Sequence, residues 1–175
     1  MTRYVALLRA INVGGHRKVP MAELRMLAQQ IGLARPRTYV ASGNLVFESE
    51  GDGDAVESAL ERAVEARFGF HVDIIVCSAE QWAHYAQGNP FPEESEASPN
   101  LVMISIGKAA PDADELAALR LKASAKEKIV EVGDAIWIYF GEGAGRSRIG
   151  TGPVKSIATT RNWRSVVKIG EMLAE

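Results

Sequence analysis

The sequence predicts an α+β fold built from two ferredoxin-like halves of βαββαβ type, with antiparallel sheets and helices packed on one face. Three observations carry this reading. The hydrophobic periodicity of the first 77 residues alternates in the order β-α-β-β-α-β, the same order begins again at Leu101, and a proline-rich acidic stretch separates the two.

Each element has a local reason. Thr2 to Arg9 is an apolar run of strand length. Pro20 opens a helix from Met21, in which Leu24, Leu27, Ala28 and Ile31 fall at i, i+3, i+4, i+7 and make one stripe; Gly32 stops it. Arg37 to Ala41 and Asn44 to Glu48 form a hairpin about Ser42-Gly43, rich in Tyr, Val and Phe. A second helix, Asp54 to Phe68, places Val56, Leu60, Ala63, Val64 and Phe68 on one face and ends at Gly69. Val72 to Cys77 is the fourth strand, and Ser78-x-x-Gln81 is a capping box that starts a third helix carrying Trp82, Tyr85 and Ala86.

Residues 88–100 read as a connection, so that 1–87 is the first half and 101–175 the second. Leu101 to Ile106 is a strand, Pro111 to Ala123 a helix, and Lys126 to Phe140 a hairpin turning at Gly133-Asp134. A glycine loop, a short turn of helix begun by Pro153 and a last helix from about Arg161 complete a β-α-β-β-α string that lacks a closing strand.

Composition bounds the function. At 175 residues, with 47% apolar and 24% charged residues, the chain is an ordinary soluble globular one. No run approaches the roughly 18 apolar residues of a membrane span. The N-terminal apolar run breaks at Arg9 without a small-residue cleavage site, so no secretory signal is expected. The single cysteine, Cys77, sits in a strand-like run and reads as a buried thiol, which suits a reducing, cytoplasmic setting. A net charge of −2 argues against a wholly basic duplex-DNA binder. Charge is nevertheless segregated, with basic residues gathered at Arg9 to Lys18 and at Arg146 to Lys168.

Several chemistries lack their residues. The three histidines, His16, His71 and His84, are scattered without metal-ligand spacing, so no metal is expected. Gly145 to Thr151 lacks the lysine of a Walker loop, and Gly141 to Gly145 lacks the third glycine of a dinucleotide fingerprint. There is no Gly-x-Ser-x-Gly elbow. No cofactor and no catalytic residue can be named.

What remains is a polar rim. A right-handed first crossover puts the loop after the first strand beside the hairpin turn. That brings Arg9, Asn12, Gly14, Gly15 and Lys18 next to Ser42 and Asn44, where backbone N–H groups, a helix start and cationic side chains can hold an anion. The bland alternative is that Asn12, Asn44 and Ser42 serve turns and that Arg9 pairs with Glu23 or Glu48. Arg161, Asn162 and Lys168 make a second candidate anion site at the start of the last helix, while Arg17, Arg146 and Arg148 read as solvated loop charges.

Five motifs in order give a resemblance. Leu7 to Gly15 reads Leu-Leu-Arg-x-Ile-Asn-Val-Gly-Gly, Val19 to Met21 is Val-Pro-Met, Ser42 to Asn44 is Ser-Gly-Asn, Asn89 to Phe91 is Asn-Pro-Phe, and Thr159 to Lys168 reads Thr-x-Arg-Asn-Trp-x-x-Val-x-Lys. Over nearly its whole length the chain resembles the uncharacterised bacterial domain-of-unknown-function family numbered 1697. It departs at Ala10, where that family usually has Gly, which speaks against a backbone conformation there that requires glycine. His16-Arg17 stands where relatives often have Lys-Asn. The resemblance implies a cytoplasmic bacterial protein with ferredoxin-like halves, and brings no activity.

The expectation is therefore a binding protein for a phosphate-bearing small molecule or a single-stranded nucleic acid, carried by the rim or a sheet face with Phe70. A structural or protein-interaction module without catalysis, and an enzyme acting on a phosphorylated metabolite, are the alternatives. Oligomeric state is left open by the sequence.

Overall fold

The computed structural model describes residues 1–150 and 155–175. The expected helical turn at Pro153 lies outside these residues. Two compact units divide the chain, one of Met1–His84 with Ile169–Glu175, the other of Tyr85–Lys168.

In the first unit, β1 (Thr2–Leu8), α1 (Met21–Gln30), β2 (Ala34–Tyr39), β3 (Asn44–Ser49), α2 (Gly53–Phe68) and β4 (Ile74–Ser78) follow in order, and α3 (Ala79–Gln87) begins directly after β4. The sheet is antiparallel in the order β2-β3-β1-β4. Leu24, Leu27 and Ala28 of α1 and Val56, Leu60 and Val64 of α2 pack with Tyr4, Ala6, Leu8, Leu45, Phe47 and Ile74 in one core. Asp52 caps α2 by accepting from the Ala55 N–H at 2.9 Å, and Gly69 ends it at φ 81°. The capping box at α3 forms in both directions: Ser78 N–H donates to Gln81 Oε1 and Gln81 N–H to Ser78 Oγ. The opposite face of the sheet is also closed, since Val5, Leu7, Val46, Ile75 and Cys77 are at most 3% exposed.

In the second unit, α4 (Pro92–Ala97) lies within the stretch expected to be an irregular connection. Pro92 supplies a ready-made first-turn φ there. Then come β5 (Val102–Gly107), α5 (Ala113–Lys122), β6 (Lys128–Val132), β7 (Ala135–Tyr139), β8 (Ala158–Asn162) and α6 (Trp163–Ala174). The strand β8 corrects the sequence reading, which had a helix from Arg161 and no closing strand. Its register with β5 puts Arg161 opposite Ile104 and Thr159 opposite Ile106, so the β-branched threonines alternate faces in a sheet of order β6-β7-β5-β8. That order repeats the first sheet's, strand for strand. Both halves are thus ferredoxin-like in an α+β fold. Leu116 and Leu119 of α5 pack with Ile136, Ile138 and Phe140, while the Trp137 and Trp163 rings lie 5.9 Å apart.

Candidate anion-binding rim

The loop from Arg9 to Pro20 is held by its own side chains. Ala10, Asn12 and Arg17 have φ of 53°, 55° and 51°, and Gly14 and Gly15 have 59° and 77°, so five of its residues are left-handed. The left-handed Ala10 corrects the expectation that its side chain rules such a conformation out. Asn12 ties the loop to the hairpin: its Oδ1 accepts from Val19 N–H at 2.8 Å, and its Nδ2 donates to Val19 O at 3.0 Å and Ala41 O at 2.7 Å. His16 N–H donates to Val13 O, which closes a miniature hairpin with Gly14-Gly15 at its tip.

The two loops share a border, as the right-handed crossover requires. Leu8 N–H donates to Gly43 O at 2.9 Å. A Cβ at Gly43 would lie 2.7 Å from Ile11 Cδ1 and 2.8 Å from Leu8 Cβ, and Gly43 has φ 90°, so no other residue fits without movement. Asn44 is fully buried and donates to Tyr39 O and Ser42 Oγ. The side-chain amides of Asn12 and Asn44 are therefore spent on building the rim, with the Ser42 hydroxyl accepting from Asn44.

The cations divide sharply. Arg9 Nη1 stands 3.6 Å from Asp73 Oδ2, a partner other than the Glu23 or Glu48 expected. Arg17, read from the sequence as a solvated charge, is a brace: Nε donates to Ala10 O at 3.0 Å, Nη2 to His71 O at 2.7 Å, and the guanidinium lies 5.2 Å over the Phe70 ring. Its role escapes the sequence because His71 and Phe70 reach it only through the fold. Lys18 is exposed and has no hydrogen bond or ion pair to any described residue. Beside it, α1 begins at Pro20 with no side-chain cap, and the first backbone acceptor of the helix serves Leu24 N–H. The N–H groups of Met21, Ala22 and Glu23 thus lack acceptors among the described residues. Asn12, Gly15, Lys18, Val19, Pro20, Met21 and Ala41 line a shallow groove of about 340 Å³ along this helix start.

Next to the rim, Glu61, His71 and Asp73 each offer a ligand atom within 4.8 Å of the others, bringing α2 against the segment that leads into β4. His71 Nε2 lies 3.1 Å from Asp73 Oδ1 and Nδ1 3.7 Å from Glu65 Oε2. The hydrogen bond to Asp73, then the neighbouring carboxylates, raise the His71 pKa above its usual 6.5. These three residues can reach one divalent cation, but Ile74 N–H already binds Glu61 and the Arg9 guanidinium next to Asp73 opposes a second positive charge.

The second candidate site is not assembled as expected. Arg161 lies inside β8, 6% exposed, on the same sheet face as Ile104 and Trp137. Its Nη1 donates to Thr159 Oγ1 and Thr160 O, both at 2.8 Å, and burial lowers its pKa to about 10. Asn162 does cap α6, its Oδ1 accepting from Ser165 N–H at 3.0 Å. Lys168 is exposed about one and a half turns along that helix.

Residues 1–137 match the model of a family described as a protein of unknown function, DUF1697. Among solved structures, the conserved bacterial protein SP0830 from Streptococcus pneumoniae is similar over 98% of each chain, at 26% identity and a TM-score of 0.80. No curated protein matches. No helix among the described residues is long and apolar enough to cross a membrane.

Proposed function

We propose, for a chain that belongs to the DUF1697 family of proteins of unknown function, that it binds a phosphate-bearing small molecule at the start of α1. The observation that carries this reading is the pairing of a helix N-terminus without a side-chain cap with the unengaged cation Lys18 at its lip. Backbone N–H groups and the helix dipole favour an anion there, and the ammonium adds a charge-assisted bond of about 1.5–3 kcal/mol. Pro20, Met21 and Ala41 offer an apolar wall for the rest of the ligand. Single-stranded nucleic acid is the poorer fit, because stacking on a sheet needs an open face. Here Val5, Leu7 and Ile75 of one sheet and Val102, Ile104 and Trp137 of the other are at most 3% exposed.

The setting that goes with this reading is the bacterial cytoplasm, on the bacterial source of the structural relative and one buried cysteine with no disulfide partner. A thermal-shift panel of nucleotides, phosphosugars and short RNAs tests it. A specific ligand raises the melting temperature with concentration, and Lys18→Ala removes that shift while leaving the free protein's melting temperature unchanged. A flat response across the panel, or a ligand shift that survives Lys18→Ala, refutes the reading and favours an interaction module.

A further inference from the structure

β4 is the last strand of its sheet, and its outer edge is closed by side chains. Arg9 N–H donates to Asp73 O at 2.9 Å, and the β1–β4 register then alternates, so the main-chain groups of Ile75 and Cys77 face β1 while those of Ile74, Val76 and Ser78 face away. All three outward N–H groups meet side-chain acceptors. Ile74 N–H donates to Glu61 Oε1 at 2.9 Å, Val76 N–H to Glu57 Oε2 at 3.0 Å, and Ser78 N–H to Gln81 Oε1 at 2.8 Å.

The spacing explains how one helix serves two positions. A four-residue step along α2 rises about 6 Å and a two-residue step along a strand about 6.7 Å, so carboxylates one turn apart meet alternate amides. The strand itself needs such cover. Ile74-Ile-Val-Cys-Ser78 has no charge, no proline and no glycine, the kind of segment that pairs with a copy of itself.

We propose that Glu57 and Glu61 are edge guards, occupying the donors that an added strand would use and thereby keeping β4 from pairing with β4 of a second copy of this chain. A second copy is the occupant because antiparallel pairing of two identical strands is self-complementary about a two-fold axis. The guard does not involve Lys18 or the start of α1.

The test is sedimentation velocity over a range of protein concentrations on the full chain. The Glu57→Ala, Glu61→Ala double variant is expected to double its mass as concentration rises, whereas wild type stays monomeric. Glu57→Gln with Glu61→Gln, which keeps an acceptor oxygen at each position, should behave as wild type. Val76→Pro in the double-alanine background deletes an outward donor without removing a bond to β1, and should restore the monomer. A folded double-alanine variant that stays monomeric, or one that still dimerises with Val76→Pro, overturns the proposal. So does a wild-type chain already dimeric through β4. Should the double-alanine variant not fold, hydrogen exchange on wild type decides: Ile74 and Val76 amides exchanging as fast as unprotected loop amides refute the guard, and protection of at least about tenfold supports it.

Discussion

Ala10 holds φ at 53° because its carbonyl is gripped by Arg17 Nε at 3.0 Å while Arg17 also reaches His71 O. A left-handed non-glycine residue costs on the order of 1–2 kcal/mol, so Ala10→Gly should stabilise the protein by about 1 kcal/mol after the glycine's greater unfolded-state entropy is offset; a melting curve checks the sign. The missing family glycine was visible in the sequence. The clamp that imposes the conformation without it was not, because its anchors lie 54 positions apart in the chain. At His71 the sign of pH dependence follows from its raised pKa. The histidine's contribution to stability is fully present below its unfolded value near 6.5 and is lost as pH rises through the higher folded value. An NMR titration should place the His71 midpoint above that of an unperturbed histidine, and Asp73→Asn should bring it down. With 53% of the side chain exposed, the effect on the melting temperature will be small.

Among the elements, the β2–β3 hairpin shows how a turn residue can be fixed from outside its own strand. Gly43→Ala meets both a positive φ and the Leu8 and Ile11 side chains, and should cost more than about 2 kcal/mol in denaturant unfolding, well above an ordinary turn glycine. Helices with a long apolar stripe and punctuation at both ends, α1 and α2, were readable directly. The strand β8 was not: five residues long and abutting α6 without a turn, its Thr159, Thr160 and Asn162 carry cap chemistry as readily as strand propensity. Only pairing with β5 decides between them. The same ambiguity moved Arg161 from an expected helix start into a sheet interior, which removed one of two candidate anion sites.

For the molecule as a whole, Ile169–Glu175 belongs to the first unit although it is the last stretch of the chain. Arg3 Nη1 donates to Leu173 O at 3.1 Å, Arg37 reaches Met172 O and the Glu175 carboxylate, and Ile169, Met172 and Leu173 are buried. A chain truncated after Lys168 should lose at least about 4 kcal/mol, read as earlier thermal unfolding and faster hydrogen exchange in β1 and β3. By itself the sequence determined the α+β class, the repeated order of elements, the two helices of the first core and the adjacency of the glycine loop to the Ser-Gly-Asn turn. Periodicity, caps and crossover handedness are local or topological properties, carried by neighbouring residues. The tertiary structure alone decided which polar groups of the rim stay unengaged. Asn12 and Arg17 reach partners 29 and 54 positions away, Asn44 and Arg161 are taken up by the hairpin and the strand that hold them, and Lys18 with the start of α1 is what those partnerships leave facing solvent.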